Sequence, residues 1–121
     1  KTRTMAYDEK AVVRSALALM EVMPAMSVVA VARSCGVSRQ TLARAFTRFG
    51  PSSVAQARRR ALRHRVALLM THCPPLSIKE ISASAGFSTP QVMARWVRRE
   101  YGVSPRMLRS LLLSAGWTVS E

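Results

Sequence analysis

SIKEISASAGFSTPQVMARWVRREYG, residues Ser77 to Gly102, organises the reading of the whole chain. Ser77 and Glu80 form an S-x-x-E capping box, which opens a helix by satisfying its orphan amides. Ile78, Ile81 and Ala85 then share one helical face. Gly86 stops that helix, because glycine accepts the left-handed turn conformation. Phe87 plugs the turn. Ser88 is read as the cap of the next helix, with Pro90 in its first turn at no cost in hydrogen bonds. The second helix sends Val92, Met93, Trp96 and Val97 towards a core. It leaves Thr89, Gln91, Ala94, Arg95, Arg98 and Arg99 outside. A helix-turn-helix with a short arginine and glutamine face suits entry into a DNA major groove.

The same pattern occurs earlier in the chain. Ser27, Val31, Ser34, Gly36 and Ser38 match Ser77, Ile81, Ser84, Gly86 and Ser88 at a constant offset of 50 (77 − 27). One residue is then gained, and Ala43 and Arg44 match Ala94 and Arg95. The first copy predicts a helix from Ser27 to Cys35, a Gly36-Val37-Ser38 turn, and a helix from Arg39 to Phe49. Leu42, Ala45, Phe46 and Phe49 are expected inside. Arg39, Gln40, Ala43, Arg44, Thr47 and Arg48 are expected outside. Two copies in one short chain are a far more specific signal than one.

The remaining segments frame these copies. Lys1 to Tyr7 is expected to fray. Asp8 caps a first helix whose Val13, Ala16, Leu17, Met20 and Met23 repeat at helical spacing, and Pro24 ends it. Ser53 to about His72 has no Gly or Pro and carries Ala57, Ala61, Leu62, Leu68 and Leu69 on one side. A helix of about 19 residues would span roughly 28 Å, a stiff spacer for recognition helices near one DNA turn apart, roughly 34 Å. Pro74-Pro75 ends it. Ser104-Pro105 opens a last helix packed through Met107, Leu108, Leu111 and Leu112. Gly116 onwards is expected to be a loose tail.

Charge limits the partner. The chain has 19 Lys+Arg against 6 Asp+Glu, a net charge of +13 in 121 residues. Between Glu21 and Glu80 there are ten basic residues and no acidic one. Ordinary solvated surfaces mix both signs, so this balance implies a polyanion, most often nucleic acid. Cys35 and Cys73 make neither a disulfide framework nor a zinc set, and fit a reducing cytoplasm. His64, His72 and Cys73 lack a metal site's ligand number and spacing, so no metal or other cofactor is expected. No paired carboxylates, nucleophile–base set or phosphate-cradling glycine loop is present, which argues against an enzyme. No apolar run reaches the roughly 18 residues of a membrane span.

The residues Ile81, Gly86-Phe87-Ser88, Arg95, Tyr101-Gly102-Val103-Ser104-Pro105 and Arg109 resemble the signature of the AraC/XylS family of bacterial transcription regulators. The resemblance runs from about Val12 to about Leu112 and is strongest in the second half. It implies an all-α domain of seven helices. Two homeodomain-like helix-turn-helix subdomains, 1–52 and 74–121, would be joined by a linker helix at 53–73. Several positions depart from the family pattern. The first copy is one residue short before Gly50-Pro51-Ser52-Ser53, where the family commonly has Gly-x-Ser-Pro. Gln56 replaces an aromatic, and Val97 a phenylalanine. Ala61 and Arg65 stand where the linker usually has an arginine and a small residue.

Carried onto the motif positions, Gln40, Ala43, Arg44, Thr89, Gln91, Ala94 and Arg95 are expected to face bases. Arg pairs with guanine O6 and N7, Gln with adenine N6 and N7, and Ala or Thr methyls touch thymine. Ser38, Arg39, Arg48, Ser88, Arg98 and Arg99 are expected to face phosphates, which fix register without reading sequence. The competing reading for each is a solvated residue or an internal salt bridge, such as Arg95 with Glu80. The arginines from Arg58 to Arg65 suit the DNA backbone or a solvated linker face equally. The expectation is therefore a cytoplasmic, nucleoid-associated binder of double-stranded DNA that activates or represses transcription. RNA polymerase is a further partner implied by the family. The start at Lys1 leaves room for an upstream effector-binding or dimerisation domain. The rival is non-specific DNA or RNA binding through net charge alone.

Overall fold

Asp8 opens the first helix by accepting a hydrogen bond from the Lys10 amide at 3.0 Å. In a computed structural model, which describes residues 8–116, this helix is α1, Glu9–Val22. It is followed by α2 (Val28–Ser34), α3 (Arg39–Phe49), α4 (Val54–Met70), α5 (Ile78–Ala85), α6 (Pro90–Tyr101) and α7 (Pro105–Ser114). No strand occurs among the described residues. The caps explain most of these boundaries. Ser27, Ser38, Ser77 and Ser104 each accept from the amide three residues on, at 3.0–3.2 Å. At α5 the box is reciprocal, since the Ser77 amide donates to Glu80 Oε1 at 2.8 Å.

The chain forms two compact units that divide between Leu62 and Arg63, within α4. In the first unit α1 packs on α2 and α3, and α2 packs on α3. Its core joins Val12, Val13, Ala16 and Met20 of α1 to Val31 and Ala32 of α2 and to Leu42, Ala45 and Phe46 of α3; Val54 and Ala57 of α4 complete it. Truncating Phe46 to Ala would cost about 3–5 kcal/mol at such a packed site. In the second unit α6 packs on α5 and α7. Ile81 and Ala85 of α5, Met93, Trp96 and Val97 of α6, and Leu108 of α7 are buried there. Phe87 stacks near Trp96, with ring centroids 5.7 Å apart, and Tyr101 meets Trp96 edge-on at 6.1 Å.

Several expectations change. The linker helix α4 has 17 residues, about 25 Å of helix, and is shorter than its sequence pattern predicts. It also buries Val66, Ala67 and Met70, which that pattern does not mark. Phe49 does not turn inwards and is 42% exposed. Phe46 fills the core one turn earlier, and the Lys10 ammonium and the Arg48 guanidinium lie 5.4 and 5.6 Å from the Phe49 ring centroid. Cations over an aromatic face are attracted by its quadrupole. Met23, Met107 and Leu111 are also exposed, Met23 because α1 has ended at Val22, and Met107 and Leu111 because they lie beyond the edge of the buried stripe of α7. The loose ends expected at Lys1–Tyr7 and beyond Gly116 lie outside the described residues.

The cap of α6 is Thr89, not Ser88. Thr89 Oγ1 accepts from the Val92 amide at 3.1 Å, and Pro90 takes the first helical position. Ser38 does the same for Thr41 in α3. The extra residue of the second copy therefore falls inside its turn, before the cap. The turn residues Gly36 and Gly86 both have positive φ, at 75° and 93°.

Candidate nucleic-acid interface

Amphipathic periodicity places the exposed faces of α3 and α6. α3 buries Leu42, Ala45 and Phe46, so Arg39, Gln40, Ala43, Arg44, Thr47 and Arg48 stand exposed on the other side. α6 buries Met93, Trp96 and Val97 and exposes Gln91, Arg95, Arg98 and Arg99. Thr89, ahead of α6, is exposed too. Ala94 is half-buried because it lines a groove of about 320 Å³ with Gln91, Ile78, Pro90, Ser104, Pro105 and Arg106. Of these, Ser104 and Arg106 are polar lining residues that the sequence reading does not single out. A basic residue in the first turn of a helix opposes the helix dipole, and that is the signal the sequence offers for Arg106.

The faces are strongly cationic. α3 contains no acidic residue, and α6 has only Glu100. Glu100 is largely buried and lies 3.9 Å from Arg63 Nε. No hydrogen bond or ion pair among the described residues engages Arg44 or Arg95, and both are exposed. Glu80, the alternative partner of Arg95, is committed to Ser77. The Ser77 backbone amide, and then its hydroxyl, hold the Glu80 carboxyl below its usual pKa. Arg98 and Arg99 lie in the last turn of α6, where cations also complement the helix dipole.

The phosphate set is less uniform. Arg48 pairs with Glu9 Oε1 at 3.3 Å, with the Arg48 side chain 61% exposed. The internal salt bridge that competes with its expected phosphate contact is thus present. The Ser38 hydroxyl donates to Thr41 Oγ1 at 2.9 Å while capping α3. Ser88 is exposed and does not cap.

The arginine cluster of α4 divides by partner. Arg58 donates from Nε to the Met26 carbonyl at 2.6 Å and from Nη2 to the Ala25 carbonyl at 3.1 Å. It ties α4 to the α1–α2 connection. Arg63 donates to the Tyr101 hydroxyl at 3.1 Å, and its guanidinium lies 5.0 Å from the ring centroid. The Tyr101 hydrogen bond, above all, raises the Arg63 pKa. Neither arginine is simply a solvated linker residue. Arg109, part of the family-like signature, donates to the Leu76 carbonyl and ties α7 to the α4–α5 connection. Among the described residues no three His, Cys, Asp or Glu side chains are grouped for a metal, and no helix is long and apolar enough to cross a membrane.

A family model described as "Helix-turn-helix domain" matches residues 31–110. Comparison with curated proteins gives no match. Among solved structures, the chain is similar to a transcriptional regulator of the AraC-type DNA-binding domain-containing proteins from Chromobacterium violaceum. The identity is 25% and the TM-score 0.58, over 84% of this chain and 91% of that one. It is also similar to the C-terminal domain of AraT, a response regulator from Geobacillus stearothermophilus. There the identity is 22% and the TM-score 0.65, over 91% of this chain and 88% of that one. With two helix-turn-helix copies, acid-poor exposed faces on α3 and α6 and a family match over most of its length, the chain belongs to the AraC-type helix-turn-helix family, whose domains bind double-stranded DNA and regulate transcription.

Proposed function

We propose that this domain binds a specific duplex sequence, with α3 and α6 in neighbouring major-groove segments, and regulates transcription from that site. The observation that carries the reading is the exposed, unpaired state of Arg44 and Arg95 among the described residues, at matching places on two acid-poor helix faces. Gln40, Ala43, Arg44, Thr89, Gln91, Ala94 and Arg95 are the base-facing set. Arg39, Arg98 and Arg99, with Ser38 and Ser88, are the phosphate set, and Arg48 joins it on leaving Glu9. Binding begins with phosphate neutralisation, which makes affinity salt-dependent. Base contacts then select the site. Contact with RNA polymerase and control through an upstream domain are what family membership suggests for the regulatory step.

Selection from a random duplex library at physiological salt tests this. Two enriched blocks with centres about 10–10.5 base pairs apart are expected. Arg95→Ala should then cost about 1–3 kcal/mol and relax one base preference, whereas Arg98→Ala should weaken all sequences alike and flatten the salt slope by about one unit. Tight, salt-sensitive binding with no enriched sequence would replace this reading with non-specific binding through the net charge of +13.

A further inference from the structure

Once Ser38 and Thr89 are set as equivalent caps, α3 and α6 align at an offset of 51 (89 − 38). Four outward positions are then identical: Gln40 and Gln91, Ala43 and Ala94, Arg44 and Arg95, Arg48 and Arg99. They are the second, fifth, sixth and tenth residues of each helix. At about 100° per residue they share one side. The buried positions all differ. Leu42 faces Met93 in this alignment, Ala45 faces Trp96, and Phe46 faces Val97.

This inverts the usual constraint. Packing restricts core residues, while solvated surface residues change at little cost to stability. Here the two copies differ at every buried position compared and agree at four outward ones. A common outward set needs a cause outside the fold, and a common ligand supplies one. We infer that α3 and α6 read the same short base sequence, so the target duplex carries two copies of one element. The inference rests on the base-reading role proposed above and specifies what is read. Each element presents adenine to the glutamine, guanine to the arginine at the sixth position, and a thymine methyl to the alanine. The first helical position differs (Arg39 against Pro90), as does the ninth (Thr47 against Arg98), so the copies of the element diverge at their ends.

The same library selection, followed by synthetic duplexes, tests this. Two blocks sharing a central core are expected. Duplexes in which the central core of either block is written into both, with each block's own ends kept, should bind within about threefold of the selected one, because each mismatched pair otherwise weakens binding by roughly 5- to 150-fold. Arg44→Ala and Arg95→Ala should relax the same base, each in its own block. Two unlike blocks, a single block, or a larger loss on duplicating either central core would overturn the inference. Of these, two unlike blocks would leave two-helix base reading standing. Absence of any enriched sequence would remove both.

Discussion

Arg63 Nε donates to the hydroxyl of Tyr101, 38 residues later, at 3.1 Å, and its guanidinium also lies over the tyrosine ring. Tyr101 is the last residue of α6 and packs edge-on to Trp96. The end of a proposed reading helix is thus held by an arginine of α4. Tyr101→Phe, which keeps the ring, should cost about 0.5–1 kcal/mol in chemical unfolding, since the arginine is half exposed. Arg63→Lys should cost at least as much, because an ammonium cannot reproduce the planar fork. Arg63→Ala should leave the salt slope of DNA binding unchanged; a slope lower by about one unit would add Arg63 to the phosphate set.

The cap assignment separates two neighbouring hydroxyls. Thr89→Ala should destabilise the domain by about 1 kcal/mol, whereas Ser88→Ala should stay within about 0.5 kcal/mol. Thermal melts of the two variants decide it. Equal losses would mean that both hydroxyls serve the helix start.

Gly50 and Gly102 end α3 and α6 for different reasons. Gly102 has φ 74° and open space on the side where a methyl would project, so conformation alone demands glycine. Gly50 is extended, but an added Cβ would lie 2.7 Å from the Phe46 ring and 2.8 Å from the Phe46 carbonyl. Asparagine visits the left-handed region. Gly102→Asn should therefore cost less than Gly102→Ala, which should cost about 1–2 kcal/mol. At Gly50 the order reverses: alanine loses about 1–3 kcal/mol by crowding and asparagine loses more. Chemical unfolding of the four variants reads both orders.

Glu9 competes for Arg48. Glu9→Gln should free the guanidinium, raise DNA affinity and steepen the salt slope by up to about one unit. Titrations at several salt concentrations read both quantities. An unchanged slope would leave Arg48 as a surface partner of Phe49 and nothing more.

The Ser77–Glu80 box sets a pH response. The folded Glu80 carboxyl titrates below its unfolded value, so the unfolded chain binds protons more readily and stability rises with pH through that window. The contribution is complete above the ordinary carboxylate pKa and is lost as pH falls through the depressed one. Acid unfolding of Glu80→Gln should lack this component, which a comparison of melting temperatures between neutral and acid pH would show.

The fold is legible in the sequence where the signals are local. Ser27, Ser38, Ser77 and Ser104 announce helix starts by chemistry that acts over three residues. Periodicity likewise puts Arg44, Arg95 and their neighbours on open faces. The turn of the second copy is harder to read, because Ser88 and Thr89 are both competent caps and only the backbone path chooses. Arg58, Arg63 and Arg48 have partners 33, 38 and 39 residues away, beyond any local pattern. Phe49 carries the hydrophobicity of a core residue, yet two cations provide another environment for its ring.

The division between the two units falls inside α4, and that has a consequence for how the halves can exist. Cutting the chain between Leu62 and Arg63 would expose about four backbone amides and four carbonyls that the helix now satisfies. The first fragment would keep Val54 and Ala57 on a short, frayed stub, and the second would lose the turn preceding Arg63. Each copy can change its own interior, as the exchange of Phe46 for Val97 illustrates, while sharing a single uninterrupted backbone segment with the other. A break at that point would therefore unravel a helical turn on both sides at once.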